Sequence, residues 1–215
     1  MILKRIKFQL GYISDANCYI VQDEETKETM VIDPGADAKE IEDMLNTIEA
    51  KLKYIVLTHC HADHISGTQA IKEKFGGQIL IHIKDEEGLH NSDISLSEYI
   101  GAEIVTFHAD ARLNDEDLIH LGENEFKIIH TPGHTHGGIC IYCEKEKMLF
   151  SGDTMFRGSW GRTDLPTGNF VDIINSITDK LMKLPKETIV YPGHGKSTRI
   201  GDEEPIYLEL KPKKY

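Results

Sequence analysis

The run Thr58-His59-Cys60-His61-Ala62-Asp63-His64 sets four candidate ligands within six residues. Neutral imidazole and carboxylate are ligands for Zn²⁺, Fe²⁺ and Mn²⁺, and a loop offering His59, His61 and Asp63 at alternate positions can wrap one side of a metal site. A lone histidine is usually a loop residue satisfied by hydrogen bonds. Here three further groups follow separate strand-like runs, in His130-Thr131-Pro132-Gly133-His134, Phe150-Ser151-Gly152-Asp153 and Tyr191-Pro192-Gly193-His194. Glycine lets each loop turn tightly beside an ion. The joint set of seven is the number that two adjacent metals need.

These groups need elements that converge. Strands are expected near 4–10, 18–22 and 29–32, then a helix over 38–48 with Ile41, Leu45 and Ile48 on one face and Asp37 as its N-cap. The apolar run Tyr54-Ile55-Val56-Leu57-Thr58 reads as a strand buried on both faces that stops at His59. A helix is expected from His64 to Phe75, closed by Gly76-Gly77, then a strand over 79–83. The polar, acidic stretch 84–98 has no assignment but is placed to cover the site. Strands near 126–130, 138–143, 148–150 and 188–191 and a helix near 169–181 complete the pattern. With no repeat or linker, this reads as one domain over 1–215. Ligands on strand-end loops then meet at one rim of an α/β sandwich.

The chain carries 24 basic and 36 acidic side chains, a formal charge of -12. Such an excess repels phosphate backbones and anionic lipids, so no nucleic acid and no membrane is expected as a partner. The first residues alternate apolar and basic types without the apolar core of a secretory signal, and no run approaches a membrane span, which predicts a cytoplasmic location. Four cysteines, Cys18, Cys60, Cys140 and Cys143, are too few and scattered for a disulfide framework. In Ile139-Cys140-Ile141-Tyr142-Cys143 the odd spacing points Cys140 and Cys143 to opposite faces of a strand, as core thiols.

The motifs His59-Cys60-His61-Ala62-Asp63-His64, Gly133-His134-Thr135, Gly152-Asp153-Thr154 and Gly193-His194-Gly195 together resemble the metallo-β-lactamase superfamily over nearly the whole chain. Asp33-Pro34-Gly35, which in that family follows a strand and supports the metal loops, is also present. The resemblance implies a four-layer αββα sandwich. It assigns His59, His61 and His134 to one metal, Asp63, His64 and His194 to a second, and Asp153 as the bridge, with the ions about 3.5–4 Å apart. The implied cofactors are two divalent ions, zinc first, with iron or manganese suited to the same ligands.

Within the superfamily the chain is similar to the glyoxalase II-like branch, through Phe156-Arg157-Gly158-Ser159-Trp160-Gly161-Arg162-Thr163-Asp164 and Tyr191-Pro192-Gly193-His194-Gly195. That implies a small-molecule hydroxyacyl-thioester substrate attacked by a metal-bridging hydroxide, with Asp63 and Asp153 as the catalytic carboxylates. Arg157 or Arg162 is expected to bind a substrate carboxylate, Arg162 being equally suited to an ion pair with Asp164. Glyoxalase II enzymes carry a C-terminal helical domain that grips glutathione; about 20 residues follow His194 here, so the thiol stays open. The alternatives are a mononuclear-iron persulfide dioxygenase, which would use His59, His134 and Asp153, and a non-catalytic metal-binding protein. A flavodiiron reductase is disfavoured, because His61-Ala62-Asp63-His64 lacks its glutamate ligand. Sequence leaves the oligomeric state open.

Overall fold

The computed structural model describes residues 1–10, 14–35, 38–102, 104 and 106–210, without the side chains of 8–10, 14, 15 and 208. The proposed N-cap Asp37 lies outside the described residues. The first sheet holds six strands in sequence order: β1 (Ile2–Leu10), β2 (Ser14–Gln22), β3 (Glu28–Ile32), β4 (Lys51–Leu57), β5 (Gln78–His82) and β6 (Ala111–Leu113). Pairing is antiparallel from β1 to β3 and parallel from β3 to β6. The second sheet is built from β7 (Leu118–Leu121), β8 (Asn124–His130), β9 (Ile139–Cys143), β10 (Met148–Gly152), β13 (Ile189–Pro192) and β14 (Thr198–Arg199). Its order is β14-β13-β10-β9-β8-β7, and β11 (Met155–Phe156) and β12 (Ser159–Trp160) form a separate hairpin.

Side-chain alternation divides the interior into three apolar layers. On β2, Cys18 and Ile20 face helices while Tyr19 and Val21 face the second sheet; on β4, Ile55 and Leu57 take the first direction and Val56 the second. Helix α1 (Ala38–Thr47) buries Ile41 and Leu45, one turn apart, on the outer face of the first sheet, beside α3 (Thr68–Phe75) with Ile71. Phe126, Ile128, Ile141 and Phe150 fill the space between the sheets. On the far side, α5 (Phe170–Asn175) and α6 (Ile200–Leu210) pack Ile173, Ile174, Ile200 and Tyr207 over Cys140, Tyr142, Leu149 and Val190. The layers are αββα. Strands buried on both faces explain the near-continuous apolar runs. Cys140 and Cys143 fall in different layers, and all four cysteines are free and buried.

The structure departs from the expected pattern in several places. The helix expected over 64–75 is two, α2 (Ala62–Ile65) and α3, and it opens before His64, with His61 in the capping position. The break comes where Gly67 N–H donates to Pro34 carbonyl at 2.8 Å, an approach that a Cβ at Gly67, 2.9 Å from that oxygen, would obstruct. The helix expected over 169–181 starts on Asn169, whose side chain accepts from Asp172 N, but it widens after Asn175 into a π-turn over Ser176–Lys180. The unassigned stretch holds a 3₁₀ turn, Glu86–Leu89, and a four-residue helix α4 (Ser92–Ser95) capped by Asn91. Strands β6, β7, β11, β12 and β14 are too short to register as periodic runs. No helix among the described residues is long and apolar enough to cross a membrane.

Candidate metal centre

Each ligand-bearing loop leaves the end of a strand: β4 delivers His59 to His64, β8 His134, β10 Asp153 and β13 His194. Backbone bonds tie these loops across the sheets. Ile139 N donates to Thr58 carbonyl at 2.9 Å, Asn17 N to Gly193 carbonyl at 2.7 Å, and Gly193 N to Gly152 carbonyl at 2.8 Å. Asn17 Nδ2 also donates to the carbonyls of Pro192 and Gly195, and Tyr19 OH to that of Pro192, so β2 of one sheet grips the His194 loop of the other. A Cβ at Gly193 would lie 2.2 Å from Asp153 Oδ1 and 2.8 Å from His64 Cε1. No larger residue fits that approach.

All seven expected ligands meet. The ligand atoms of His59, His61 and His134 lie within 4.8 Å of one another, as do those of Asp63, His64 and His194. Asp153 stands between the trios, with Oδ2 3.5 Å from His134 Nε2 and 3.3 Å from His194 Nε2, and Oδ1 3.5 Å from His64 Nε2. Nitrogens of neighbouring rings approach closely, His61 Nδ1 to His134 Nε2 at 2.9 Å and His64 Nε2 to His194 Nε2 at 3.1 Å. His59 Nε2, His61 Nε2 and Asp153 Oδ1 are buried without a hydrogen-bond partner. Burying unpaired acceptors is costly, and divalent ions would satisfy imidazole and carboxylate groups of this kind.

Outer partners fix the rings. His64 Nδ1 donates to Asp33 Oδ2 at 3.1 Å and His134 Nδ1 to Arg162 carbonyl at 2.7 Å, so Nε2 of each ring is the atom turned toward the other ligands. His59 Nδ1 lies 3.1 Å from Thr58 Oγ1, itself a donor to Asp33 at 2.6 Å. Asp33 Oδ1 also accepts from Thr58 N, which makes Asp33 a support of the loop, although its carboxylate lies within reach of His59 and His64.

The two trios differ in charge. Burial pushes the His61 pKa down to about 3, helped by His134, and holds His59 well below the ordinary value, helped by His64. Burial also opposes charge on His64 and His194, but Asp63 and Asp153 outweigh it, with Asp33 adding to His64, and raise the two to about 9 and about 11. Against the upward push of burial, these imidazoliums hold the carboxyls of Asp63 and Asp153 below the usual range.

The expected arginines part company. Arg162 lines the metal cleft, with both its Nε and its Nη2 donating to Asp164, at 3.0 and 2.9 Å. Arg157 is exposed and lines a different depression with Arg199, Asp202 and Glu203, so the structure does not bring it into the metal cleft. It follows Phe156, a cleft residue and the last of β11, and stands in the two-residue turn between β11 and β12. Away from the centre, His82 and His130 stack at 4.0 Å and His130 Nε2 donates to His136 carbonyl.

Sequence reasoning missed Asp85. This carboxylate, 2% exposed, accepts from Thr135 Oγ1 at 2.6 Å and Cys60 N at 3.2 Å on Oδ2, and from Gly137 N at 2.5 Å on Oδ1. It thus joins the residue between His59 and His61 to the residue after His134. Burial raises its pKa in spite of the three bonds. An isolated aspartate in an acidic stretch gives no signal of that role. The stretch 84–98, expected to cover the site, brings Leu96 to the cleft wall, which Tyr99, Ile100, Phe156, Trp160 and Leu165 complete without having been singled out as wall residues.

Comparison with known proteins agrees with this geometry. The family model described as the metallo-beta-lactamase superfamily matches residues 12–194. Hydroxyacylglutathione hydrolase GloC of Haemophilus influenzae is 35% identical over 190 residues, covering 87% of this chain and 89% of its own. The crystal structure of BLEG-1 B3 metallo-beta-lactamase superposes with a TM-score of 0.89 at 36% identity, covering 98% of this chain and all of its own. That of TTHA1623 in a di-iron-bound form gives 0.80 at 31%, covering 93% and 96%. On the extent of these matches, and on the four-layer sandwich with its His/Asp centre at the rim, the chain belongs to the metallo-β-lactamase superfamily.

Proposed function

We propose that this protein is a two-metal hydrolase of acyl thioesters, of the glyoxalase II-like kind. The observation that carries the reading is the convergence of two ligand trios on Asp153, at the floor of a cleft that offers no serine, cysteine or threonine nucleophile among its described lining. Cys60, inside the motif, is fully buried, and burial holds its thiol protonated. The 35% identical GloC, a hydroxyacylglutathione hydrolase, supports a thioester, and the di-iron-bound form of TTHA1623 supports a pair of ions without choosing zinc over iron.

His59, His61 and His134 would hold one divalent ion and Asp63, His64 and His194 the other, with Asp153 reaching both. Ions so held supply Lewis acidity toward a carbonyl and an acidified water as nucleophile. The chain's part is orientation and charge. The ionised carboxylates of Asp63 and Asp153 would orient the attacking hydroxide, and the outer bonds of His64 to Asp33 and of His134 to Arg162 hold those rings in place. Fixed charge of this kind is worth about 3–4 kcal/mol of transition-state stabilisation. A thiolate, whose conjugate acid has a pKa of about 8.5, leaves without help from a strong acid. Arg162 contacts the substrate from the wall.

A persulfide dioxygenase would need only His59, His134 and Asp153 on one iron, leaving Asp63, His64 and His194 converged without a task. The test is thiol release from S-lactoylglutathione and S-lactoyl-N-acetylcysteamine by metal-loaded protein, with and without chelator. Chelator-sensitive release from either supports the reading; release from neither by fully loaded protein rejects it.

A further inference from the structure

The metal cleft is small, about 260 Å³, and its walls are apolar apart from Arg162. Pockets that enclose a whole drug-sized ligand run to about 300–1,000 Å³, so this one takes half of a thioester. The inner end is marked by Asp153, 9% exposed with Oδ1 unpartnered, and by the unpartnered Nε2 of His61, which fixes where the reacting carbonyl sits. Outward, the cleft meets a wider groove of about 660 Å³, and the two share Leu96, Tyr99, Arg162 and Leu165. The remaining half of the substrate has to lie along that groove.

The groove is acidic. Beyond the shared residues it is lined by Asp93, Glu98 and Asp164, so three carboxylates face the single guanidinium of Arg162. Asp164 already meets that guanidinium at two points, so little positive charge is left for a substrate carboxylate. Tyr99, 72% exposed where cleft and groove join, offers an aromatic face, a surface that attracts cations. The net charge of -12 adds to the field. We infer that the thiol carrier of the substrate is uncharged or cationic, and that the groove discriminates against anionic carriers of the glutathione and coenzyme A type. This specificity rests on the thioester hydrolase reading.

The test uses full-length protein loaded with two metals and four butyryl thioesters of graded charge: thiocholine (cationic), N-acetylcysteamine (neutral), glutathione (anionic) and coenzyme A (strongly anionic). The free thiol is read with a chromogenic disulfide. At about 0.01 M ionic strength, where the Debye length is about 30 Å, kcat/KM for the first two should exceed that for the glutathione ester by about tenfold or more, with coenzyme A lower still. The gap should close at about 1 M salt, where the Debye length is about 3 Å. Glu98→Lys should raise turnover of the glutathione ester relative to the thiocholine ester. A glutathione ester that matches or exceeds the neutral ester at low salt overturns the inference and leaves the hydrolase reading standing. So does a Glu98→Lys variant with an unchanged ratio. Cleavage of none of the four overturns the inference, and with S-lactoylglutathione and S-lactoyl-N-acetylcysteamine also left intact it overturns the hydrolase reading.

Discussion

Replacing Asp85 with alanine removes the carboxylate that holds the two loops of the first trio together. Three buried donors, Thr135 Oγ1, Gly137 N and Cys60 N, then lose their acceptor. An unmet buried donor costs about 1–3 kcal/mol, which sets a gross loss of about 3–5 kcal/mol if the loops relax in part. Desolvation of the carboxylate offsets some of this, and its raised pKa is the sign of that offset. The net expectation is about 2–4 kcal/mol, or roughly 10 °C in Tm for a chain of this size. Asp85→Asn keeps the shape but turns an amide N–H2 toward one donor, so it should cost about half as much. Because Cys60 and Thr135 are chain neighbours of His59, His61 and His134, affinity at the first trio should fall about 10–100-fold, as for other groups that orient ligands. Thermal unfolding of metal-free protein reads the first effect and chelator competition the second. Stability within about 0.5 kcal/mol of the parent, with both ions held as tightly, would refute the reasoning.

Asp153→Ala should release metal and lower turnover by at least about 10²–10³-fold; full metal content by mass spectrometry with normal turnover would remove Asp153 from the centre. His64 and His194 have raised pKa values, about 9 and about 11, so both are protonated in metal-free protein at pH 7.5, whereas ligation needs them neutral. Metal loading at pH 7.5 should therefore release about two protons, and at pH 10 about one, by calorimetry in buffers of different ionisation enthalpy. Release independent of pH over that range would contradict the charge reading. Arg157→Ala should leave KM for a thioester within about twofold, since the side chain lines a separate depression; a large rise would return it to the binding site.

The ligands were legible because each follows a strand-like apolar run, with a glycine beside His134, Asp153 and His194, and the near-continuous apolar runs read as strands buried on both faces. His59, His134, Asp153 and His194 needed no tertiary information beyond that. Direction was not legible. Arg157 sits four residues after Asp153 in sequence, yet the β11–β12 hairpin presents Phe156 to the cleft and leaves its neighbour outside. The start of α2 was misplaced because His61, which makes no side-chain capping bond, stands where the helix begins. Leu96, Tyr99 and Ile100 occupy an irregular segment where apolar residues follow no period, so their role as a wall depends on where 84–102 folds back over the metal loops. Asp85 was hidden for the same reason.

The central claim is that two ions act together in thioester cleavage. Metal-free protein titrated with a divalent ion, with thiol release followed at each addition, tests it most directly. Activity should rise mainly with the second equivalent and level at two ions per chain. Full activity at one equivalent, or one tightly held iron with oxygen uptake on a persulfide and no thiol release, would contradict it.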